Sequence, residues 1–168
     1  GYKAREGRTD LPDDPKLYRM GTLLVEMGRH GQKTGSGFYK YDPETRRRMS
    51  DPEVESMIKE EAAKLNLEQR DISDEETLQR CLYPLINEGA LILEEGIADR
   101  SLDIDVVWIY GYGFPAYRGG PMFWADQVGL DNILAAVKNY NSTVGGEQWK
   151  PAPLLEKLVA EGRKFSDL

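Results

Sequence analysis

Apolar residues recur every three or four positions along most of this chain, which is the spacing of one helix face. The predicted helices lie at about residues 15–28, 52–65, 74–97, 103–109, 122–128, 131–140 and 153–162. Asp131 is expected to cap the sixth of them. The aromatic residues just before and at Tyr41 alternate instead, as in a short extended segment, and a turn should follow to Asp51. The sequence therefore predicts an all-α chain.

The helix predicted at residues 74–97 has the strongest apolar pattern and should form the centre of the core. Pro84 lies within it, and because proline removes a backbone donor and crowds the preceding turn, we expect a kink near residues 80–84. Cys81 falls inside the apolar pattern and is expected to be a buried, reduced thiol. A single cysteine excludes an internal disulfide and indicates a reducing compartment.

Charge and hydropathy limit the classes of partner. The 22 basic and 29 acidic residues give a net charge of -7, which disfavours nucleic acid and anionic membranes. No apolar run approaches the ~18 residues of a membrane span. The first ten residues read as though cut from a longer protein. The last four residues resemble a peroxisomal address but carry Asp167 where a basic residue is expected, so we expect a bacterial cytoplasm, or a peroxisome if the chain is eukaryotic.

Two glycine-rich segments are candidate binding loops. Residues 33–37 (Lys-Thr-Gly-Ser-Gly) could cradle a phosphate, because glycines expose backbone donors and Lys33 adds a positive charge. The alternative, which the local residues favour, is a turn that leads into Phe38 and Tyr39 anchored in the core.

The second segment, residues 111–121, has four glycines and two prolines, so helix should not continue through it. A dinucleotide loop would need a strand before it and a helix opening after its third glycine, and Pro115 contradicts that arrangement. A tight connection between helices is favoured instead. The aromatic residues around it are then expected to fill the core: Trp108, Tyr110, Tyr112, Phe114, Phe123 and Trp124.

Side chains that could carry chemistry are scarce. The one histidine, His30, lies between glycines in a basic turn without an evident orienting carboxylate, so an exposed loop histidine is favoured over a general base. His30 and Cys81 match no metal-ligand spacing. The sequence thus predicts no catalytic, cofactor-binding or metal-ligating residue within the chain. One weak internal likeness stands out: residues 24–29 and 158–163 share the pattern Leu-Val-x-x-Gly-Arg, which suggests two related units.

Three segments together resemble the carboxy-terminal domains of 3-hydroxyacyl-CoA dehydrogenases, as in multifunctional fatty-acid oxidation enzymes of the peroxisomal type and their bacterial relatives. They are residues 28–41 (GRHGQKTGSGFYKY), 80–90 (RCLYPLINEGA) with 95–98 (EGIA), and 111–123 (GYGFPAYRGGPMF). The resemblance implies the tail of a first helical unit at residues 1–41, a connecting segment with one helix at 42–73, and a second helical unit at 74–168.

The activity implied by the resemblance is NAD-dependent oxidation of an (S)-3-hydroxyacyl-CoA. In this family NAD and the catalytic His-Glu pair belong to an amino-terminal nucleotide-binding domain, so the chain alone should be inactive. Its implied role is to complete the acyl-CoA cleft against that domain. Asn87 is a tempting analogue of the family's substrate-orienting Asn but is expected to be a core or capping amide. The expected substrate-contact or domain-contact residues are Lys33, Thr34, Gly35, Gly37, Tyr112 and Arg118.

A non-catalytic helical module for protein interaction is the alternative from another class. Exposed helix faces and a missing active site would suit it equally well. It has no need, however, for both glycine segments in one chain, whereas the dehydrogenase family carries both. The combination therefore favours the dehydrogenase reading.

Overall fold

The computed structural model describes Arg5, Gly7 and residues 15–168, and the chain divides into two compact units, Gly1–Asp71 and Ile72–Leu168. Residues 15–168 form seven α-helices and two short strands. The helices are α1 Pro15–Glu26, α2 Pro52–Lys64, α3 Asp74–Glu94, α4 Ser101–Tyr112, α5 Pro121–Val128, α6 Leu130–Thr143 and α7 Pro153–Glu161. Each predicted helix has its counterpart, and the all-α prediction is confirmed.

The first unit contains α1, α2 and a small hairpin between them. Strands β1 Lys40–Tyr41 and β2 Arg48–Met49 pair antiparallel. An ion pair joins the two helices: Arg19 Nε of α1 donates to the Glu61 carboxylate of α2 at 2.7 Å. Lys64 Nζ, on α2 itself, donates to the same carboxylate at 2.6 Å. These two hydrogen bonds, that from Lys64 foremost, hold the pKa of the Glu61 carboxyl below its ordinary value.

The second unit has one continuous apolar core to which α3 to α7 all contribute. Helix α3 supplies Tyr83, Ile86 and Ala90, spaced so that they lie on one face. Helix α6 buries Ile133, Leu134 and Val137 in the same core, and its Tyr140 packs on Trp149 with ring centroids 4.7 Å apart. Helix α7 closes the core with Leu155 and Leu158, neither of which is exposed to solvent.

Asn87 is buried on α3 and uses both ends of its amide. Its Nδ2 donates to the Lys150 carbonyl at 2.8 Å, and its Oδ1 accepts from the Ala152 amide at 2.8 Å. The side chain therefore holds the loop before α7 against α3. Both polar ends of the buried amide have hydrogen-bond partners, as burial requires. The expectation of a core amide is correct.

Two buried carboxylates, Asp105 and Asp126, connect separate elements of this unit. Asp105 on α4 accepts from the backbone amides of Met122 and Phe123 at 2.7 and 3.0 Å, so it caps α5 from another helix. Asp126 on α5 accepts from the amides of Phe165 and Ser166 at 2.9 and 3.0 Å. The carboxylates thus attach α4 to α5, and α5 to the last turn of the chain.

Several burial predictions were wrong. Cys81 is exposed, because the buried stripe of α3 passes through Tyr83, Ile86, Asn87 and Ala90, and position 81 lies on the other side of the helix. Phe38 and Tyr39 are 49% and 41% exposed rather than anchored in the core.

The aromatic residues around residues 111–121 were all predicted to fill the core, but most of them do not. Only Phe114 is buried, Trp108 and Trp124 are half-buried, and the remainder are exposed. The exposed three are Tyr110 (86%), Tyr112 (73%) and Phe123 (52%). Helix α4 is apolar on all sides, so its sequence cannot indicate which side faces the core.

Three local predictions also differ from the structure. Helix α4 continues through Gly111 to Tyr112, and Gly113 closes it with a φ of 75°. The cap of α6 is Gly129, which leaves Asp131 in the first turn, where its charge suits the helix dipole. The predicted turn before Asp51 contains strand β2. One α-helix is assigned on both sides of Pro84, and the kink there stays a prediction.

Candidate contact surfaces

The glycine segment of the first unit is a closed, hydrogen-bonded loop. The Gly31 amide donates to the Ser36 carbonyl at 2.8 Å, and the Tyr41 amide donates to the Gly35 carbonyl at 2.9 Å. Thr34 Oγ1 accepts from the His30 amide at 2.9 Å. The amides of Thr34 and Gly35 also donate within the loop. Since these donors are already used, the turn interpretation fits the geometry better than a phosphate cradle does.

Arg29, whose side chain is 10% exposed, fastens this loop to α2. Arg29 Nε donates to the Gly37 carbonyl at 3.0 Å, while Arg29 Nη2 bonds the carboxylate of Asp51, which caps α2 by accepting from the Glu53 amide at 3.2 Å. Lys40 Nζ lies 3.2 Å from the same carboxylate. The Arg29 hydrogen bond is the main reason that the pKa of Asp51 lies below its ordinary value. The segment is therefore held rigidly, with Lys33 exposed on its outer side.

Gly37 is required by close packing within the loop. A Cβ at this position would lie 2.8 Å from the Gly31 Cα, a distance that real side chains essentially never reach. Beside the loop, along α1, an open cavity of about 970 Å³ is bounded by Met20, Gly21 and Leu24 of the helix and by Phe38 of the loop. Lys33 is among its lining residues, so the predicted contact residue faces a concave surface.

The second glycine segment presents aromatic and basic side chains on the second unit. Its middle forms a 3₁₀ turn, Ala116–Arg118, and Tyr117 is 84% exposed. The Arg118 guanidinium carbon lies 5.7 Å from the centre of the Trp124 ring. Tyr112 packs on Trp108 with ring centroids 4.9 Å apart, which leaves most of the Tyr112 surface open.

Gly120 explains how this loop reaches α5. Its φ of 102° is one that side-chain-bearing residues rarely adopt, and a Cβ there would overlap the Asp105 side chain. The glycine therefore lets the backbone pass directly over the carboxylate that caps the helix. Tyr112 and Arg118 belong to this second unit, whereas Lys33, Thr34, Gly35 and Gly37 belong to the first.

Catalytic chemistry is sparse in the part of the chain that the structure describes. His30 is exposed, and no group of three or more His, Cys, Asp or Glu residues among the described positions is placed to hold a metal ion. Burial raises the pKa of Asp105 above its ordinary value, but both of its oxygens accept backbone hydrogen bonds, which gives it a structural task. Within the same described residues, no helix has the length and apolarity that crossing a bilayer requires.

Residues 77–166, more than half of the chain, match the family described as 3-hydroxyacyl-CoA dehydrogenase, C-terminal domain. The chain belongs to this family. The resemblance inferred from its three sequence segments is therefore confirmed, and the second unit is a 3-hydroxyacyl-CoA dehydrogenase C-terminal domain. The match covers α4, α5 and the glycine segment between them, which carry Tyr112 and Arg118.

Curated relatives of this chain include a peroxisomal bifunctional enzyme and a subunit of a fatty acid oxidation complex. The peroxisomal bifunctional enzyme of Danio rerio is 40% identical over 160 residues, which cover 90% of this chain and 22% of that protein. The fatty acid oxidation complex subunit alpha of Pseudomonas syringae is 33% identical over 171 residues, covering 98% of this chain and 23% of that protein. The chain thus spans less than a quarter of the length of either relative.

A solved structure with the same fold is the dehydrogenase part of multifunctional enzyme 1 from C. elegans. It superposes with a TM-score of 0.65 at 30% identity, and the alignment covers 93% of this chain and 35% of the other. The likeness therefore extends beyond the family match into the first unit. This chain corresponds to about a third of that dehydrogenase part.

Some important residues were missed by sequence reasoning. Asp105 stands among the apolar residues of α4, and the N-cap of α5, Gly120, has no side chain; together these are a signal for a carboxylate cap from elsewhere in the fold. The Arg29 and Asp51 pair had no such local signal. Asp51, directly before Pro52, has the sequence position of a helix cap, but it lies 22 positions from Arg29 and nothing local connects the two.

Proposed function

We propose that this chain is the carboxy-terminal part of an NAD-dependent (S)-3-hydroxyacyl-CoA dehydrogenase of fatty-acid β-oxidation. It completes the acyl-CoA cleft by packing against the nucleotide-binding domain of the parent enzyme, and it carries no catalytic residue of its own. The observation that supports this role most directly is the exposed surface of a recognised dehydrogenase domain, where Tyr110, Tyr112, Tyr117 and Arg118 surround the second glycine segment.

The composition of that surface suits a protein contact. Helix α4 also exposes Leu102, Val106 and Val107, at 56%, 46% and 56% of their surface. Tyrosine and arginine dominate the energetics of protein interfaces, and aliphatic residues exposed together usually mark a binding face. The face is carried on an element that Asp105 fixes to α5, so its shape does not depend on the partner. Rigid presentation lowers the entropy that association costs.

The residues that the structure describes do not fit NAD. A dinucleotide site places its glycines between a strand and a helix, with pyrophosphate at the helix amino terminus. Here the second glycine segment connects α4 to α5, and the first turn of α5 already donates to Asp105. The cofactor would therefore bind in the nucleotide-binding domain. There a base would take the hydroxyl proton of the substrate while hydride passes to the nicotinamide ring.

The two glycine segments would have different tasks in such an enzyme. In the first unit, Lys33, Thr34, Gly35 and Gly37 form a rigid basic loop, which suits contact with an acyl-CoA phosphate through Lys33 or with a neighbouring domain. In the second unit, Tyr112 and Arg118 suit the domain contact. Residues 1–41 would be the tail of a first helical unit, 42–73 a connection and 74–168 the second unit.

Localisation follows from the relatives as a proposal. Relatives of this chain include peroxisomal enzymes from animals and a fatty acid oxidation subunit from a bacterium. For a bacterial source we propose the cytoplasm, and for a eukaryotic source the peroxisome.

The test is reconstitution. The chain is expressed alone and together with the matching nucleotide-binding domain, and NADH oxidation is followed with acetoacetyl-CoA as substrate. We expect no activity from the chain alone and activity from the combination. Turnover by the isolated chain would overturn the proposal. If both pieces are folded and the combination stays inactive, the helical interaction module becomes the better account.

A further inference from the structure

Four cations of the first unit have no carboxylate partner. Lys33 lies on the glycine loop, and residues 46–48 (Arg-Arg-Arg) end the turn of the β1–β2 hairpin; all four side chains are exposed. None of them forms an ion pair with a carboxylate of the described residues, whereas Arg29 and Lys40 nearby both pair with Asp51. In a chain with a net charge of -7, such a concentration of unpaired cations favours an anionic ligand.

The two loops that carry these cations are joined to each other. Gln32 Nε2 donates to the Arg46 carbonyl at 3.4 Å, which brings the residue before Lys33 against the hairpin turn. The turn is closed by the Asp42 amide, which donates to the Arg47 carbonyl at 2.9 Å. The cations therefore belong to two adjacent, hydrogen-bonded loops.

The acidic residues of the hairpin turn do not neutralise these cations. Asp42 Oδ1 accepts from the amides of Glu44 and Thr45 at 3.1 and 2.7 Å, so this carboxylate closes the turn from within. Glu44 is exposed and forms no ion pair with any described residue. The turn therefore keeps an excess of positive charge.

Arg46 has a backbone conformation that suits glycine better than arginine. Its φ of 59° lies in the left-handed region, where a side chain crowds the following carbonyl. Among the described residues, Asn66 alone shares a positive φ with Arg46 and the glycines, and asparagine tolerates this region well. Strained backbone of this kind clusters at ligand-binding sites. The presence of arginine at this position indicates that its charge has a task.

An aromatic ring lies beside the arginines. Tyr39 is 41% exposed, and the Arg48 guanidinium carbon lies 5.3 Å from the centre of its ring. A guanidinium ordered on a tyrosine ring offers a flat surface on which a nucleobase can stack, while neighbouring cations bind phosphate. The two loops thus combine a stacking surface with phosphate-binding charge, which is what an adenine nucleotide requires.

We propose that Lys33, Tyr39 and residues 46–48, together the basic hairpin patch, bind the adenosine 3′-phosphate end of coenzyme A. Lys33 and the arginines lie on different loops, which suits phosphates attached at two positions of one ribose, and the base stacks on the pair formed by Arg48 and Tyr39. This inference rests on the proposed function and deepens it, because it assigns the nucleotide end of the acyl-CoA substrate to the first unit.

The test is direct binding of coenzyme A to the full chain under reducing conditions at low salt, followed by the NMR signals of backbone amides. Saturable shifts should concentrate in residues 33–48. The form without the 3′-phosphate should bind about 3- to 5-fold more weakly, because one exposed ion pair is lost. Pantetheine, which lacks the nucleotide, should cause no shifts. Equal affinity for coenzyme A and its dephospho form, or displacement by an equal concentration of pyrophosphate, overturns the proposal.

Two triple variants separate the patch from total charge. Substitution of glutamine at residues 46–48 should weaken coenzyme A binding ~10-fold or more, since several ion pairs are lost together. The matched control combines Lys59→Gln, Lys150→Gln and Lys157→Gln, which remove the same charge from exposed positions without an ion-pair partner among the described residues. The control should bind nearly as the parent chain does. Equal weakening by both triple variants would show that only net charge matters and would overturn the site.

Arg46 provides a second measurement, because its charge and its backbone strain can be separated. Arg46→Gly removes both, so it should weaken coenzyme A binding without lowering the melting temperature. Arg46→Lys keeps the charge and should retain most of the binding. Equal loss in the two variants would contradict a role for the charge.

Reconstitution with the nucleotide-binding domain distinguishes this inference from the proposed function. The triple glutamine variant at residues 46–48 should raise KM for acetoacetyl-CoA and leave kcat unchanged, because the nucleotide end takes no part in hydride transfer. If coenzyme A binds as described but the reconstituted enzyme is inactive, the proposed function fails and the patch remains. If the enzyme is active and the triple variant leaves both coenzyme A affinity and KM unchanged, the patch fails alone.

Discussion

The carboxylate of Asp105, on α4, accepts the backbone amide of Met122, on α5, at 2.7 Å, in a site where Asp105 is 3% exposed. A helix normally receives its cap from the residue that precedes it, but Gly120 has no side chain to offer. The cap therefore comes from a different helix. As a result, the start of α5 and the packing of α4 depend on each other.

Asp105→Ala should lower the free energy of unfolding of the second unit by about 2–4 kcal/mol, because two buried amides lose a charged acceptor. The free energy of unfolding of Asp105→Asn should lie between those of Asp105→Ala and the parent chain, since one accepting oxygen remains. The measurement is urea unfolding followed by NMR signals of α5. Asp103→Ala, which removes an exposed ion pair with Arg100, should cost less than about 1 kcal/mol. Equal costs for Asp103 and Asp105 would contradict the capping role.

Asn87→Ala should destabilise the second unit by about 2–4 kcal/mol, because the Ala152 amide and the Lys150 carbonyl would stay buried without a partner. Asn87→Asp should also be costly, since it places a carboxylate against the Lys150 carbonyl. Urea unfolding gives both values. Asn132→Ala, which changes an exposed amide on α6, is the control and should stay within about 1 kcal/mol. A small effect at Asn87 would mean that its amide is not needed to hold the loop before α7.

The first unit should become less stable in acid through Asp51. Its pKa is lowered in the folded state, chiefly by Arg29 and also by Lys40, so the unfolded chain takes up a proton more readily. The stabilisation is complete above the ordinary pKa of 3.8 and is lost as the pH falls below it toward the folded pKa. Hydrogen exchange of α2 amides between about pH 7 and pH 3 measures this loss.

In Asp51→Asn, α2 should be less protected at neutral pH, and its difference from the parent chain should shrink as the pH falls. A difference that stays constant with pH would show that the Asp51 charge is unimportant. The pH dependence of the stability contributed by Asp105 has the opposite sign. Because burial raises its pKa, its contribution to stability decreases as the pH rises from 3.8 through the folded pKa.

Gly28→Ala and Gly162→Ala should each cost about 1–2 kcal/mol, since both positions have a positive φ that alanine adopts poorly. No atom lies near either hypothetical Cβ, so backbone strain alone sets the cost. Gly21→Ala, inside α1, should instead stabilise the first unit by about 0.5–1 kcal/mol. Thermal or urea unfolding shows whether each substitution raises or lowers the free energy of unfolding. Stabilisation by the Gly28 or Gly162 change would contradict the need for a positive φ where each helix ends.

Tyr117→Ser should leave the folded chain as stable as before, because the ring is 84% exposed, yet it should weaken association with the nucleotide-binding domain ~10-fold or more. Isothermal titration with that domain measures the change. Val144→Ser, at a residue that is 47% exposed elsewhere on the second unit, should bind normally. Unchanged binding by the tyrosine variant would remove Tyr117 from the proposed contact face.

The helices were predictable because their apolar positions repeat locally, and α3, α6 and α7 begin within one residue of the predicted starts. The direction of individual side chains was less predictable. Cys81 belongs to an apolar stretch, but only the packing of α3 decides which side of that stretch is buried. Likewise Tyr110 and Tyr112 lie on a helix that is apolar all round, so the pattern could not separate core from surface.

The candidate contact residues were located from their glycine neighbours, and this reasoning could not reveal what holds the loops in place. Gly37 depends on a contact with Gly31, and its carbonyl is held by Arg29 through the fold. Strand β2 was missed because two residues, Arg48 and Met49, are too few to establish an alternating pattern. Long-range pairs and very short strands are properties of the folded chain more than of any local segment.

The exposure of Cys81 has a practical consequence for every measurement described above. It is the one thiol of the sequence and it points to solvent from the longest helix, on the side away from the core. A maleimide dye or spin label would attach at a single, known position with no competing cysteine and without displacing core side chains. Each batch of protein could thus carry one homogeneous reporter, which would make distance measurements between the second unit and an added nucleotide-binding domain feasible without further mutation.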